Sequence, residues 1–142
     1  MEINGEHQTQ KWFVKSYWLQ EKKLAYIELI GDFDEDGVMR FNKFWAENYL
    51  DKGNAPVHTI IDAAGLINYP KNLGMLREGT SLSVKHPNTG WVLLVGFTGN
   101  PVLKFLSSAV SQVLGVRFKQ VESLEDAKNV LSRVDDSLEV IA

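Results

Sequence analysis

The sequence of 142 residues contains no cysteine. Thiol catalysis, cysteine-ligated zinc and disulfide bonds are therefore excluded. No uninterrupted apolar run approaches the roughly 18 residues that a membrane helix needs. The first residues also lack the basic and apolar blocks of a signal peptide. From these absences we expect a cytoplasmic protein without an integral membrane segment.

Positive charge is scarce as well, with 15 Lys and Arg residues against 18 Asp and Glu, and a formal net charge of −3. This balance argues against a protein that binds nucleic acid, because phosphate backbones are held by basic surfaces. Hydrophobic residues make up 44% and charged residues 23%, as in ordinary globular domains. We expect a flexible N-terminus over residues 1–10 and one domain over residues 11–142.

Hydrophobic periodicity predicts the order of the elements. Residues 12–19 and 24–30 are rich in aromatic and β-branched side chains and flank a polar turn, which predicts a β-hairpin. Residues 36–50 then have the spacing of an amphipathic helix. Beyond them we predict strands over 56–62, 91–95 and 116–121, and helices beginning at Pro70, Pro101 and Ser123. The order ββαβαβαβα predicts an α/β domain with a mixed five-stranded sheet and four helices.

Three segments accompany this element order: an apolar strand that closes on Asp62, the stretch His86-Pro87-Asn88-Thr89-Gly90-Trp91-Val92, and the helix start Ser123-Leu124-Glu125-Asp126-Ala127. Over about residues 11–135, the chain resembles the STAS domain, and within it the SpoIIAA-like, anti-sigma-factor-antagonist group. The resemblance implies a bacterial regulatory domain that binds a protein partner or forms a homodimer. It also implies that the domain catalyses no reaction and binds no cofactor.

Two further features bear on this resemblance. Phosphorylation-switched members carry a Ser or Thr in the slot that falls here near Pro70-Lys71-Asn72, and the sequence has none between Ala63 and Gly79. We therefore do not expect partner switching by phosphorylation. SpoIIAA-like sequences also share an overall shape with CRAL-TRIO domains. The alternative function is accordingly a small apolar-ligand or lipid-surface binder.

The segment 63–72, a predicted loop over 63–69 and the helix start after it, is the candidate partner-binding segment. It follows the carboxyl end of a central strand, where open α/β sheets usually place their sites. The resemblance implies that this segment meets the partner. Our hypothesis is that the contact residues are Asn68, Tyr69, Lys71 and Asn72. The alternative is that Leu66, Ile67 and Tyr69 simply cover the end of the core.

A metal site is suggested only by the segment Asp32-Phe33-Asp34-Glu35-Asp36-Gly37, which matches the opening of a calcium-binding loop. The twelfth position of such a loop, which normally carries a bidentate Glu, is Lys43 here. The alternative is that Asp32, Asp34 and Asp36 cap the following helix and favour its dipole. We expect this second role and no metal.

Catalytic groups are not evident in the sequence. His58 and Asp62 share one face of a predicted strand, but about 13 Å separates their Cα atoms. The segment 96–101 could hold an anion at a helix N-terminus, or Asn100 and Pro101 could be ordinary helix-start residues. We therefore expect no enzyme activity.

The paired aromatic residues Trp12-Phe13 and Tyr17-Trp18 allow two interpretations. In a regular strand, neighbouring side chains point to opposite faces of the sheet. If helices covered only one face, one ring of each pair would remain exposed and could contact a partner. The other interpretation, which we favour, is that all four rings belong to the core.

Overall fold

The computed structural model describes residues 1–8, 10–97, 99–114 and 117–139, and the side chains of residues 111–114 are outside this description. Six strands and four α-helices lie within these ranges. The strands are β1 (Glu2–His7), β2 (Gln10–Gln20), β3 (Leu24–Asp32), β4 (Val57–Asn68), β5 (Thr89–Val95) and β6 (Phe118–Val121). The helices are α1 (Glu35–Trp45), α2 (Leu73–Leu82), α3 (Pro101–Leu114) and α4 (Leu124–Val134).

All six strands form one sheet, in the order β1-β2-β3-β4-β5-β6. The pairs β1–β2 and β2–β3 are antiparallel, whereas β3, β4, β5 and β6 are joined by parallel pairing. The predicted α/β class, mixed sheet and four helices are confirmed. Residue 116, where the last strand was predicted to begin, lies outside the described residues.

The predicted number of five strands is wrong, because residues 2–7 of the supposedly flexible N-terminus form β1. This strand has no alternating apolar pattern from which it could be recognised. Its pairing with β2 places Glu2 opposite Lys15 and Glu6 opposite Lys11, and opposite charges across strands stabilise a sheet. Gly5 lies against the Trp12 indole, where a Cβ atom would come within 2.6 Å of the ring.

The boundaries of two further elements differ from the prediction. Strand β4 does not end at Asp62 but continues to Asn68, because β3 also extends and pairs Asp32 with Asn68. The predicted loop over 63–69 is therefore mainly strand. Helix α2 begins at Leu73 rather than at Pro70. The first helix reaches residue 50 as predicted, with a π-helical turn over Ala46–Leu50 after α1.

The two faces of the sheet are covered to different extents. Helices α1, α2 and α3 pack on one face and form the larger hydrophobic core. Helix α4 packs on the other face, against β4, β5 and β6. The parallel half of the sheet is thus enclosed on both sides, and the cluster around α4 extends to Leu19 and Leu24 at the hairpin end of β2 and β3. The rest of this side of β1, β2 and β3 has no helix over it in the described part of the chain.

Trp45 anchors α1 to the sheet from within the larger core. Its side chain is 1% exposed, and its ring stacks on Phe41 at a centroid distance of 5.7 Å. The indole Nε1 donates a hydrogen bond of 3.0 Å to Oγ1 of Thr59 on β4. Because the buried N–H is satisfied, the large ring contributes its full apolar area to the core.

Candidate functional site

Strand β2 alternates strictly between buried and exposed side chains over residues 12–17. Trp12 is 1% exposed, whereas its neighbour Phe13 is 38% and Tyr17 is 53% exposed. Trp18, next to Tyr17, is partly buried against the larger core. The sequence-based expectation that each aromatic pair sends one ring to each face is confirmed.

The exposed rings belong to a surface that we call the open sheet face. It is the side of β1, β2 and β3 that lies opposite the larger core. The strand registers and burial patterns place ten side chains on it. They are Glu2, Asn4, Glu6, Lys11, Phe13, Lys15, Tyr17, Tyr26, Glu28 and Ile30.

Charged and apolar rows alternate along the open sheet face. In one row Lys15 lies between Glu2 and Glu28, and in another Lys11 lies opposite Glu6. Between these charged rows, Phe13 is flanked by Asn4 and Ile30. In the next row the rings of Tyr17 and Tyr26 meet at a centroid distance of 5.1 Å. The face therefore offers apolar contacts and charges of both signs.

Tyr26 marks the border between the open sheet face and the half covered by α4. Its hydroxyl donates a hydrogen bond of 2.5 Å to Oδ2 of Asp62, and Oδ1 of Asp62 accepts one of 3.0 Å from the Ala64 backbone N–H. Burial, followed by the bond to Asp62, raises the pKa of Tyr26 above its ordinary value. The phenol therefore stays protonated and donates the hydrogen bond. The Tyr26–Asp62 pair joins β3 to β4 and does not supply a base.

One of the four predicted partner-binding residues is buried. Tyr69 is 7% exposed, its ring lies 5.9 Å from that of Phe33, and burial raises the pKa of its hydroxyl. Asn72 is the N-cap of α2, with its side chain accepting a hydrogen bond of 3.1 Å from Met75 N. Asn68 and Lys71 are exposed. A binding role for these residues stays a prediction, but Tyr69 is a core residue.

The alternative reading of the same segment is correct for two residues out of three. Leu66 and Tyr69 are buried and belong to the larger core. Ile67 is 71% exposed and covers nothing. Leu66 and Ile67 are neighbours in β4, so Ile67 points away from the side on which Leu66 packs.

The three aspartates of the acidic segment around the start of α1 have different roles. Asp34 is the N-cap, and its Oδ1 accepts a hydrogen bond of 2.8 Å from Gly37 N, which confirms the predicted capping role. Asp36 lies in the first turn of α1 and 4.0 Å from Arg40. Asp32 does not cap, since it ends β3 beside His7, at 3.5 Å. Among the described residues, no three His, Asp or Glu side chains are grouped as metal ligands.

His58 and Asn100 both have structural hydrogen bonds. Nε2 of His58 lies 2.8 Å from Oδ2 of Asp135, just after α4, rather than near Asp62. The Asn100 side chain accepts a hydrogen bond of 2.9 Å from Val102 N at the start of α3. Asn100 therefore has the helix-capping role that was the alternative to an anion site.

One apolar cavity lies between the sheet and helices α1, α2 and α3. Its volume is about 50 Å³, and its lining includes Phe41, Trp45, Ile61, Leu94 and Leu106. Small-molecule sites usually measure about 300–1,000 Å³. The cavity is a packing defect of the larger core and is too small for a lipid chain or a cofactor.

Sequence analysis favoured a core role for all four paired rings, which is wrong for Phe13 and Tyr17, and it missed the charged residues beside them. Glu2 and Glu6 lie in the segment that was predicted to be flexible, so their alignment with Lys11 and Lys15 could not be seen. No helix in the described part of the chain is long and apolar enough to cross a membrane. Comparison of the chain with protein-family models, curated proteins and solved structures gave no match in any of the three.

Proposed function

We propose that this protein is a non-enzymatic regulatory domain of the STAS-like type that binds a protein partner through the open sheet face. The exposure of Phe13 and Tyr17 on a face of the sheet that no described helix covers carries the proposal. Exposed apolar area bordered by charged side chains is typical of protein-binding surfaces. Aromatic anchors of this kind contribute most of the binding energy in many interfaces.

The two other classes of function have less support. A protein that binds small apolar ligands needs a cavity several times larger than the core cavity of about 50 Å³. An enzyme needs a nucleophile or base close to an orienting group. The polar pairs His58–Asp135 and Tyr26–Asp62 instead join separate elements of the fold.

The proposal is tested with the double variant Phe13→Ser with Tyr17→Ser. Both side chains are exposed, so we expect the variant to fold with a melting temperature close to that of the wild type. Immobilised wild-type protein and variant are exposed to lysate of the source organism, and the retained proteins are quantified. We expect the variant to lose at least one protein that the wild type retains, including any second copy of this chain.

The matched control removes exposed apolar side chains elsewhere, with Ile67→Ser and Phe97→Ser. These residues are 71% and 72% exposed and lie outside the open sheet face. We expect the control to retain the same proteins as the wild type. Loss of the partner in the control alone would move the binding surface to that region. Identical retention by all three proteins would contradict the proposal, as would a wild type that retains no protein and also stays monomeric up to about 1 mM.

A further inference from the structure

We propose that the open sheet face binds a second copy of this chain, with a two-fold axis running along the seam between β1 and β2. The inference rests on the proposed function and names the partner for that surface. Two such faces would pack as sheets do, about 10 Å apart, with strands nearly aligned. Rotation about this axis places β1 of each copy over β2 of the other. Each row of side chains then faces the same row of the second copy.

The charges on these two strands make the arrangement self-complementary. Each charged row pairs an acid on β1 with a base on β2, namely Glu2 with Lys15 and Glu6 with Lys11. The two-fold rotation exchanges the strands, so each Glu faces a Lys of the partner, giving four contacts of opposite charge. The four residues form no ion pair with another described side chain. They are therefore available to a second copy.

The apolar row between the charged rows fits the same axis. Phe13 lies opposite Asn4 in the register, so the partner's ring would lie over Asn4. A shallow hollow of about 250 Å³ lies at this point, lined by Asn4, Gly5, Glu6, Lys11 and Phe13. The two rings would be offset by one strand spacing, about 4.8 Å, which is within the range of favourable aromatic pairs. The hollow can therefore receive the ring of the second copy.

Pairing through the free edge of β1 is a less suitable way to join two copies. An antiparallel β1–β1 pair centred on Asn4 would place Glu2 opposite Glu6 of the partner, and like charges directly opposite each other destabilise a sheet. The proposed overlap covers the β1–β2 register, residues 10–15 of β2, and measures about 17 Å by about 10 Å. This is below standard interface size, so we expect a reversible dimer with a dissociation constant of about 10–1,000 μM.

The test is a charge exchange measured by sedimentation velocity. One variant carries Lys11→Glu with Lys15→Glu, and the other carries Glu2→Lys with Glu6→Lys. We expect each variant alone to dimerise at least about tenfold more weakly than the wild type. An equimolar mixture should dimerise like the wild type, because every contact between unlike chains is then again Glu with Lys. Native mass spectrometry of the mixture should show the heterodimer.

Mixing separates the interface from folding effects. Within each variant, like charges face each other across β1 and β2, and mixing does not relieve that repulsion. Recovery in the mixture therefore reports contacts between chains. A control with Lys52→Glu and Lys85→Glu makes the same charge change at exposed positions outside the open sheet face and should dimerise like the wild type. If a charge variant fails to fold, the exposed substitution Phe13→Ser provides the test and should abolish the dimer.

Three results would overturn the inference. They are a wild-type protein that stays monomeric up to about 1 mM, a dimer that neither the charge variants nor Phe13→Ser weaken, and variants that do not recover on mixing. A monomeric wild type whose retained lysate protein depends on Phe13 and Tyr17 would refute the second copy as partner. It would leave the proposed function of the face intact.

Discussion

The imidazole of His58 joins two elements that are far apart in the sequence. Its Nε2 lies 2.8 Å from Oδ2 of Asp135, just beyond α4, while its Nδ1 accepts a hydrogen bond of 2.9 Å from Trp91 N on β5. Since Nδ1 is an acceptor, Nε2 carries the proton and donates it to Asp135. Gly90 makes the contact possible, because a Cβ atom there would lie 2.5 Å from Nδ1.

This arrangement makes stability depend on pH in the acidic range. Burial lowers the pKa of His58 below its ordinary value of 6.5, and the charges of Arg117 and Lys23 add to this against the opposing effect of Asp135. Hydrogen bonds from Ser137 and His58 lower the pKa of Asp135 from 3.8 to about 2. Both pKa values are lower in the folded state, so the unfolded chain binds more protons as the pH falls.

We therefore expect both groups to contribute fully to the free energy of unfolding above pH 6.5. The contribution of His58 is lost as the pH falls below 6.5, and that of Asp135 is lost between pH 3.8 and about 2. His58→Gln should reduce the pH dependence of the unfolding free energy between neutral and mildly acidic pH. His86→Gln is the control, since His86 is bonded to Asp51 at the surface. Equal pH dependence in the wild type and His58→Gln would refute this role of His58.

Trp45 should be one of the most sensitive positions of the core. Trp45→Ala removes a ring that is 1% exposed, and we expect a loss of about 3–5 kcal/mol in the free energy of unfolding. Trp45→Phe keeps most of the apolar contact but leaves Thr59 without its donor, so its loss should be smaller. Chemical denaturation of the three proteins gives these values. If the unfolding free energies of Trp45→Ala and the wild type differed by less than about 1 kcal/mol, the net contribution of one hydrogen bond, the packing described for α1 would be contradicted.

The acidic segment should stabilise α1 and not store calcium. Asp34→Ala removes the N-cap hydrogen bond to Gly37, and we expect a loss of about 0.5–2 kcal/mol. Asp36→Ala changes an exposed acid of the same turn and should cost less. Calorimetry should detect no calcium binding to the wild type. Micromolar calcium binding that disappears in Asp34→Ala would show that the segment is a metal site.

Asn68 and Tyr69 should behave differently when substituted one at a time. Tyr69→Ala should lower the unfolding free energy by about 3–5 kcal/mol, as for other large buried aromatic residues. Asn68→Ala alters an exposed side chain that accepts one hydrogen bond from Tyr69 N, and should cost about 1 kcal/mol or less. Partner retention by a folded Asn68→Ala variant should equal that of the wild type. Loss of the partner in that variant would restore the end of β4 as the binding segment.

The parts of the fold that sequence could predict are those with a strong periodic pattern. The centre of β4 is apolar on both faces, and it pairs in parallel with β3 and β5 as expected. Strand β1 and the second half of β4 were not predicted as strands, because their residues pair through backbone hydrogen bonds without an apolar alternation. Non-local pairing of this kind leaves no local signal in one sequence.

The same limit applies to the candidate site. Strand β2 alone showed that Phe13 and Tyr17 would lie on the opposite face from Trp12. Whether a helix covers that face depends on where α4 packs, and only the three-dimensional structure defines this. Tyr69 was placed at the surface because its segment was predicted as a loop, whereas in the structure it directly follows β4 and its ring packs in the larger core.

The most direct test of the open sheet face is a photo-cross-link from position 13. A benzoylphenylalanine at this position keeps an aromatic group on the face, and the same residue at position 97 is the control at an equally apolar, more exposed site. After irradiation in cells of the source organism, we expect a cross-linked protein from position 13 and not from position 97. A product of two copies of this 16.0 kDa chain would identify the homodimer, and a different mass would identify another partner. No product from position 13, or one from position 97 alone, would contradict the assignment of the open sheet face as the functional surface.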